Sequence, residues 1–323
     1  MSAAISKSRS LTARVCWLTF AKTAGFVFSL ALPLLLVRRM DPEQYGLYKQ
    51  VFLVVTTAMI VLPLGFQMSA YYFLPLKPDR QRETVANIML FNVAAGLLAF
   101  LALLCYPSLL VVIFRGPQLL PYAPWIGVAI LFWITGAFLE TAPIANQEIQ
   151  AATIIIVGVQ ATRALVFIAA AACYGTVRAL IYAAILHGMI QTVVLLVYLE
   201  SRFRGFWHCF DMATLRSQLL YAIPLGSAGL LLIVETDFHS YFIARQFSPA
   251  IFAVYMVGTF QLPLIGLLQE AANSVLIGRV STLQQQRQNR EIILLTARAA
   301  RKLASMYFPL YAFLLVAVRE SSL

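Results

Sequence analysis

Residues 151–158 read Ala-Ala-Thr-Ile-Ile-Ile-Val-Gly, and residues 225–234 read Leu-Gly-Ser-Ala-Gly-Leu-Leu-Leu-Ile-Val. Both stretches are apolar on both faces, so neither can turn one side to water. A transmembrane strand would instead alternate over about ten residues. What remains is a helix with apolar surroundings on every side. A bilayer needs about 20 apolar residues per helical span. Working outward with that ruler gives spans near 15–37, 50–75, 85–114, 121–142, 151–174, 177–199, 218–244, 250–277 and 303–318. Composition agrees: 61% of the 323 residues are hydrophobic and only 11% charged, more than one soluble core can hide. The expected fold class is an all-α polytopic membrane protein with about nine transmembrane helices and no soluble domain.

Lys7, Arg9 and Arg14 precede the first span, as they would in a signal peptide. The apolar stretch is long for a signal core, however, and no small-x-small cleavage site precedes Arg38 and Arg39, so this span is expected to stay as a helix. The net charge of +11 is distributed by topology. With the N-terminus in the cytoplasm, Lys7, Arg9, Arg14, Lys77, Arg80, Arg82, Arg202, Arg204, Arg216, Arg279, Arg287, Arg290, Arg298, Arg301 and Lys302 share that side. The opposite side receives only Arg38, Arg39, Lys49, Arg115, Arg178, Arg245 and Arg319. The positive-inside rule therefore sets a cytoplasmic N-terminus. The charge is a topology signal with anionic lipid as a secondary contact, and nucleic acid is not an expected partner.

Cys16, Cys105, Cys173 and Cys209 match no zinc or thiol-redox spacing and read as packing residues. His187, His208 and His239 form no metal motif, and His187 reads as a packing residue before a ligand. No phosphate-binding glycine loop is present, so neither a metal nor a nucleotide cofactor is expected.

Self-comparison finds a repeat. Pro42-Glu43-Gln44-Tyr45-Gly46-Leu47-Tyr48 and Pro249-Ala250-Ile251-Phe252-Ala253-Val254-Tyr255 share the pattern P-x-x-aromatic-small-x-Tyr at an offset of 207. Proline lacks the N–H that an interior helical turn needs, so it marks the helix boundary. The small residue permits close helix approach, and the tyrosine suits the interface. The two copies lie six helices apart on the outer side, which points to a duplicated six-helix unit in parallel orientation.

With Arg39, Met40 and Asp41 added before the first copy, this motif resembles the multidrug, oligosaccharidyl-lipid and polysaccharide exporter superfamily, in its bacterial polysaccharide flippase branch. Leu62-Pro63-Leu64-Gly65, Tyr71-Tyr72-Phe73-Leu74-Pro75, Ile113-Phe114-Arg115-Gly116, and Pro224 with Gly226 opening the seventh helix add to it. The resemblance implies a MATE-like fold of two six-helix lobes around a central cavity. It also implies alternating access that carries a polyprenyl-pyrophosphate-linked oligosaccharide to the outer leaflet, as in O-antigen and exopolysaccharide translocation. The location would be the bacterial cytoplasmic membrane, with lipids and other polysaccharide-assembly proteins as partners. The expected domains are an N-lobe over residues 1–205, spans 1 to 6, and a partial C-lobe over 206–323, spans 7 to 9. A second lobe of the family would continue for three more helices, so the chain reads as C-terminally truncated.

Ionisable groups inside spans are functional candidates, because each costs roughly 2.5–3.5 kcal/mol to insert. Lys22 in span 1 and Arg163 in span 5 are expected to attract the substrate pyrophosphate. The alternative for Arg163 is a salt bridge to Glu140 or Glu148. Lys22 shares a polar stripe with Thr19, Phe26, Ser29 and Pro33. In span 7, Glu235, Asp237 and His239 are candidates for coupling to a proton or sodium ion, against a neutralised, water-facing helix end. Glu235 can meet His239 at i,i+4, whereas Asp237 points about 200° away on the stripe of Tyr241 and Arg245. Thr56, Gln67, Glu270 and Asn273 are expected to line the same cavity. Rival functions are a multidrug-type small-molecule antiporter, a non-transporting remnant, and a membrane enzyme of polysaccharide assembly. The short outer loops, poor in acids and histidines, argue against the enzyme.

Overall fold

A computed structural model describes residues 32–76, 78–259 and 288–320. Among them the fold is all helical, with eleven α-helices and short 3-10 turns. These are α1 Pro42–Val61, α2 Ser69–Leu76, α3 Gln81–Cys105, α4 Ser108–Phe114, α5 Ala123–Gly136, α6 Phe138–Ala145, α7 Ile149–Cys173, α8 Val177–Arg202, α9 Met212–Gln246, α10 Pro249–Gly258 and α11 Asn289–Glu320. Five stretches are long and apolar enough to cross a membrane: Pro78–Cys105, Pro117–Ala145, Gln150–Cys173, Val177–Arg202 and Met212–Gln246. A sixth is made if the bent pair Pro42–Val61 and Phe66–Leu76 is one span. The described part of the chain is thus a multi-pass membrane protein. Most of the first expected span, of which residues 32–37 are helical, and most of the eighth lie outside the described residues.

Boundaries follow local chemistry. Asp41 caps α1 by accepting from the Gln44 amide at 2.8 Å, with Pro42 at the first helical position. Thr176 and Asp211 cap α8 and α9 in the same way, at 3.3 Å from the Ala179 amide and 2.7 Å from the Thr214 amide. α7 ends on Gly175 in the left-handed region, its amide reaching back to the Ala170 carbonyl at 3.2 Å. Pro107 breaks the stretch expected as one span near 85–114, because it cannot donate to the preceding turn. α9 starts at Met212, so Pro224 lies inside this 35-residue helix and does not open it. The cap at Asp211 sets the start, six residues before the apolar run begins. α11 likewise runs unbroken from Asn289, and the polar stretch before the last expected span belongs to that same helix.

The bend between α1 and α2 measures 46°. Pro63 lacks an amide proton, and Leu64 and Gly65 both take positive φ, 47° and 65°. α9 closes over the break: a Cβ on Gly226 would collide with the Leu64 carbonyl oxygen. α3 and α5 approach through glycines in both directions. A Cβ on Gly96 would stand 2.9 Å from the Leu131 Cα, and one on Gly127 2.9 Å from the Phe100 Cα. Small residues allow such contact where apolar lipid provides no hydrophobic drive between helices.

Residues up to Gly258 form one compact unit, and those from Thr259 a second. The first has two apolar centres. One joins α1, α5, α7, α8 and α10 around Val51, Ile130, Trp133, Phe167, Leu180 and Phe252. The other joins α2, α3, α6 and the end of α8 around Phe66, Leu74, Ile88, Phe138, Leu199 and Phe206. Large apolar side chains such as Leu98, Val112, Ile154, Leu165 and Leu231 stay exposed, as a lipid-solvated surface requires.

Candidate functional site

Arg163 lies midway along α7 with an exposed side chain. Its guanidinium sits over the Trp133 ring, 5.1 Å from the centroid. Trp133 is itself fixed, because its indole N–H donates to the Ala184 carbonyl at 2.8 Å. Phe52 meets it edge-on at 5.9 Å, and His187 does so at 5.9 Å. Gly188 leaves room for the indole, since a Cβ there would stand 2.7 Å from its Cδ1. The arginine charge reaches Glu140, His187 and Tyr48, on α6, α8 and α1.

Of the two carboxylates expected to neutralise Arg163, Glu148 is engaged elsewhere. It pairs with Arg202 at 2.9 Å and accepts from Asn146 at 3.1 Å and Tyr198 at 3.4 Å. Arg163 makes no ion pair among the described residues. A guanidinium resting on an aromatic face without a touching carboxylate keeps its N–H groups available to an anion.

The three candidates on α9 do not form one cluster. Glu235 and His239 make no ion pair among the described residues; His239 turns to Tyr255 on α10, ring centres 5.9 Å apart. Asp237 is half-buried beside Tyr241, whose hydroxyl lies 2.9 Å from the Thr57 hydroxyl and donates to the Leu53 carbonyl at 3.3 Å. Arg245, on the same stripe, donates to the Val112 carbonyl at 2.9 Å. Thr56 is exposed and bonds back to the Phe52 carbonyl at 2.7 Å. The buried Oε1 of Gln67, next to the bend, has no partner among the described residues. Lys22, Thr19, Ser29, Glu270 and Asn273 lie outside the described residues, so their relation to Arg163 stays an expectation.

The two copies of the repeated motif meet. Gly46, the small residue of the first copy, seats against the carbonyl of Pro249, the proline of the second. In return Ala253, the small residue of the second copy, is buried and shares one cavity of about 240 Å³ with Pro42 and Tyr45 of the first. The two copies thus pack on one another, tightly at Gly46 and Pro249 and around a shared cavity at Pro42, Tyr45 and Ala253. α9 is tied to the preceding helices at both of its ends. At its start, Asp211 faces Arg80 at 3.6 Å, and buried Gln218 accepts from Asn87 at 3.2 Å while donating to the Ser69 hydroxyl and the Thr84 carbonyl. At its end, besides Arg245, Gln246 accepts from Arg115 at 3.4 Å.

The polysaccharide biosynthesis protein family matches residues 35–321 of the chain. The chain belongs to that family. The match takes in both motif copies, and it bears out the resemblance first carried by Arg39 to Tyr48 and its companions. No curated protein and no solved structure matches the chain.

Within this polysaccharide biosynthesis protein, two neighbours of Arg163 went unnoticed in the sequence, Trp133 and Tyr48, whereas Glu140 was an expected partner. Trp133 alone carried a signal, as a tryptophan near the middle of an expected span, away from the interface such residues favour. His187 is only 4% exposed, and its Nδ1 has no partner among the described residues. With Gln191 and Thr162 it borders a cavity of about 270 Å³ between α7 and α8. The cysteines depart from expectation: Cys105 and Cys173 are exposed at helix ends and do not pack inside, and Cys209 is half-buried. Cys16 lies outside the described residues.

Proposed function

We propose that this chain is a flippase that moves a polyprenyl-pyrophosphate-linked oligosaccharide across the bacterial cytoplasmic membrane by alternating access, with its N-terminus in the cytoplasm. The observation that carries the reading, beyond family membership, is the packing of the two motif copies on one another. An alternating-access carrier built from repeats moves one repeat against the other around a central site. A contact between equivalent elements of the two repeats is what a closed gate of such a carrier looks like. On this reading residues 1–205 and 206–323 belong to two lobes, nine spans in all as six plus three, and the seat of α1 on α10 closes the outer side.

Arg163 is the chemical counterpart. A pyrophosphate passing through a partly dehydrated space needs cationic partners, and an arginine without a carboxylate in contact supplies one at little cost. Lys22 is proposed as the second cation. Glu235, Asp237 and His239 are proposed as the coupling residues, each acting singly. The family favours a glycan lipid over a drug as the substrate.

The test is complementation of a strain that lacks its surface-polysaccharide flippase, using this chain and a version carrying any downstream coding sequence. Arg163→Lys should retain polymer export and Arg163→Glu abolish it at equal membrane abundance. Rescue by neither chain, or full export with Arg163→Glu, would count against the proposal.

A further inference from the structure

A cavity of about 710 Å³ opens between α7 and α8, well apart in composition from the surroundings of Arg163. Small side chains leave the space: Ala169 and Ala170 on α7, Ala179 and Ala183 on α8, with Leu165 and Leu186 along it. Its size falls within the range of about 300–1,000 Å³ usual for small-molecule sites. The walls, however, offer almost nothing to orient a polar solute. Both helices are long and apolar enough to span a bilayer, so the medium that meets this groove is hydrocarbon.

One end of the groove has a different character. Arg178, on the first turn of α8, borders it and is exposed. The adjoining turn at Gly175 lies against the loop after the helical residues 32–39, where a Cβ on Gly175 would stand 3.6 Å from the Arg39 carbonyl oxygen. Arg39 is also exposed, so a second arginine stands on the segment that adjoins this end. Neither has an ion pair or side-chain hydrogen bond among the described residues. Aromatic residues sit at this level too: Trp125 meets Tyr182 edge-on at 5.3 Å, and Tyr174 is 75% exposed. Side chains with an apolar body and a polar tip gather where hydrocarbon gives way to headgroups. The groove therefore runs from headgroup level into the membrane, with Arg178 at its mouth and Arg39 on the adjoining segment.

We propose that this groove is an anionic phospholipid site. One acyl chain lies between α7 and α8, and the lipid phosphate is held by Arg178 and Arg39. The lipid comes from the leaflet at the α7–α8 turn, the outer one on the topology above. The proposal needs the chain to be membrane-embedded but does not depend on what it flips.

The experiment is native mass spectrometry of the detergent-purified chain, titrated with phosphatidylglycerol or with phosphatidylcholine. One phosphatidylglycerol should be retained in preference to phosphatidylcholine. Arg178→Glu, an exposed change, should weaken that retention by roughly 30-fold, two charge steps of about fivefold each. Ala169→Trp, filling the groove from an exposed position, should abolish it. Arg216→Glu, the same charge change near the start of α9, should leave it intact. Inorganic phosphate, which has no chain, should not displace the lipid. Equal retention of the two lipids, unchanged binding in Arg178→Glu or Ala169→Trp, an equal loss in Arg216→Glu, or displacement by phosphate would each overturn the assignment.

Discussion

The seat of Gly46 on Pro249 can be tested by adding one carbon. In Gly46→Ala the new methyl would overlap the Pro249 carbonyl oxygen and crowd its carbonyl carbon. Both are backbone atoms at the start of α10, so no side chain can rotate away and the helices must part. Overpacking of this kind costs about 1–3 kcal/mol. If the penalty falls only on the state in which α1 touches α10, separated molecules become about 5- to 150-fold more populated. Ala253 reports the change, because it is 3% exposed and sits against the first copy. In a background with Cys16, Cys105, Cys173 and Cys209 replaced by serine, Ala253→Cys should react slowly with a membrane-impermeant maleimide. Adding Gly46→Ala should raise the labelling rate by that factor, while the elution volume on gel filtration stays unchanged. An equal labelling rate and an unchanged melting temperature would show that the helices absorb the methyl, and the close-seat reasoning would fail.

Other perturbations bear on the ends of α9 and on the aromatic support of Arg163. Gln218→Leu removes the partner of the buried Ser69 hydroxyl and one acceptor of the Asn87 amide, which keeps its bonds to Asp211, and should cost about 1–3 kcal/mol, read as a lower melting temperature in detergent. Trp133→Phe removes the bond to the Ala184 carbonyl and should destabilise by about 1 kcal/mol, with Arg163 less well held. The Asp211 carboxyl is held below its ordinary pKa, chiefly by hydrogen bonds from the Thr214 hydroxyl and amide, with Arg80 adding to them. Since folding lowers this pKa, the stabilisation is complete above the unfolded carboxylate value and is lost as pH falls through the folded one. Limited proteolysis near residue 211 should accelerate on acidification in the wild type, and the acceleration should shrink in Asp211→Asn.

The spans that an apolar ruler finds best are those bounded by local signals. α8 was expected near 177–199 and runs to Arg202; α7 was expected near 151–174 and spans Ile149–Cys173. Gly175 and Thr176 carry the stop and start in their own chemistry. The ruler fails where a helix continues in polar sequence: Met212 to Ser217 and Asn289 to Lys302 are helical, yet hydropathy cannot register them. It also passes over Pro107, whose effect is a missing hydrogen bond. At the candidate site, the insertion cost of a charge singled out Arg163, but its partners come from four other helices whose register no linear pattern encodes. The Glu235–His239 pair illustrates the reverse error: i,i+4 spacing makes contact available, and Tyr255 on the neighbouring helix took the histidine instead. The motif copies were legible as alike, but that each would lie against the other is a property of packing alone.

The break at Leu62 to Gly65 sets a mechanical condition on the whole unit. Backbone that leaves the helical pattern at membrane depth cannot face lipid, so it must stay covered by protein or reach water. Gly226 covers it on the α9 side with no side chain between the two backbones. Pulling the pair apart would bare polar groups, whereas rotating one helix on the other at that point keeps them covered. The contact therefore behaves as a fulcrum. A side chain at position 226 would wedge the two backbones apart and bare the break it now covers.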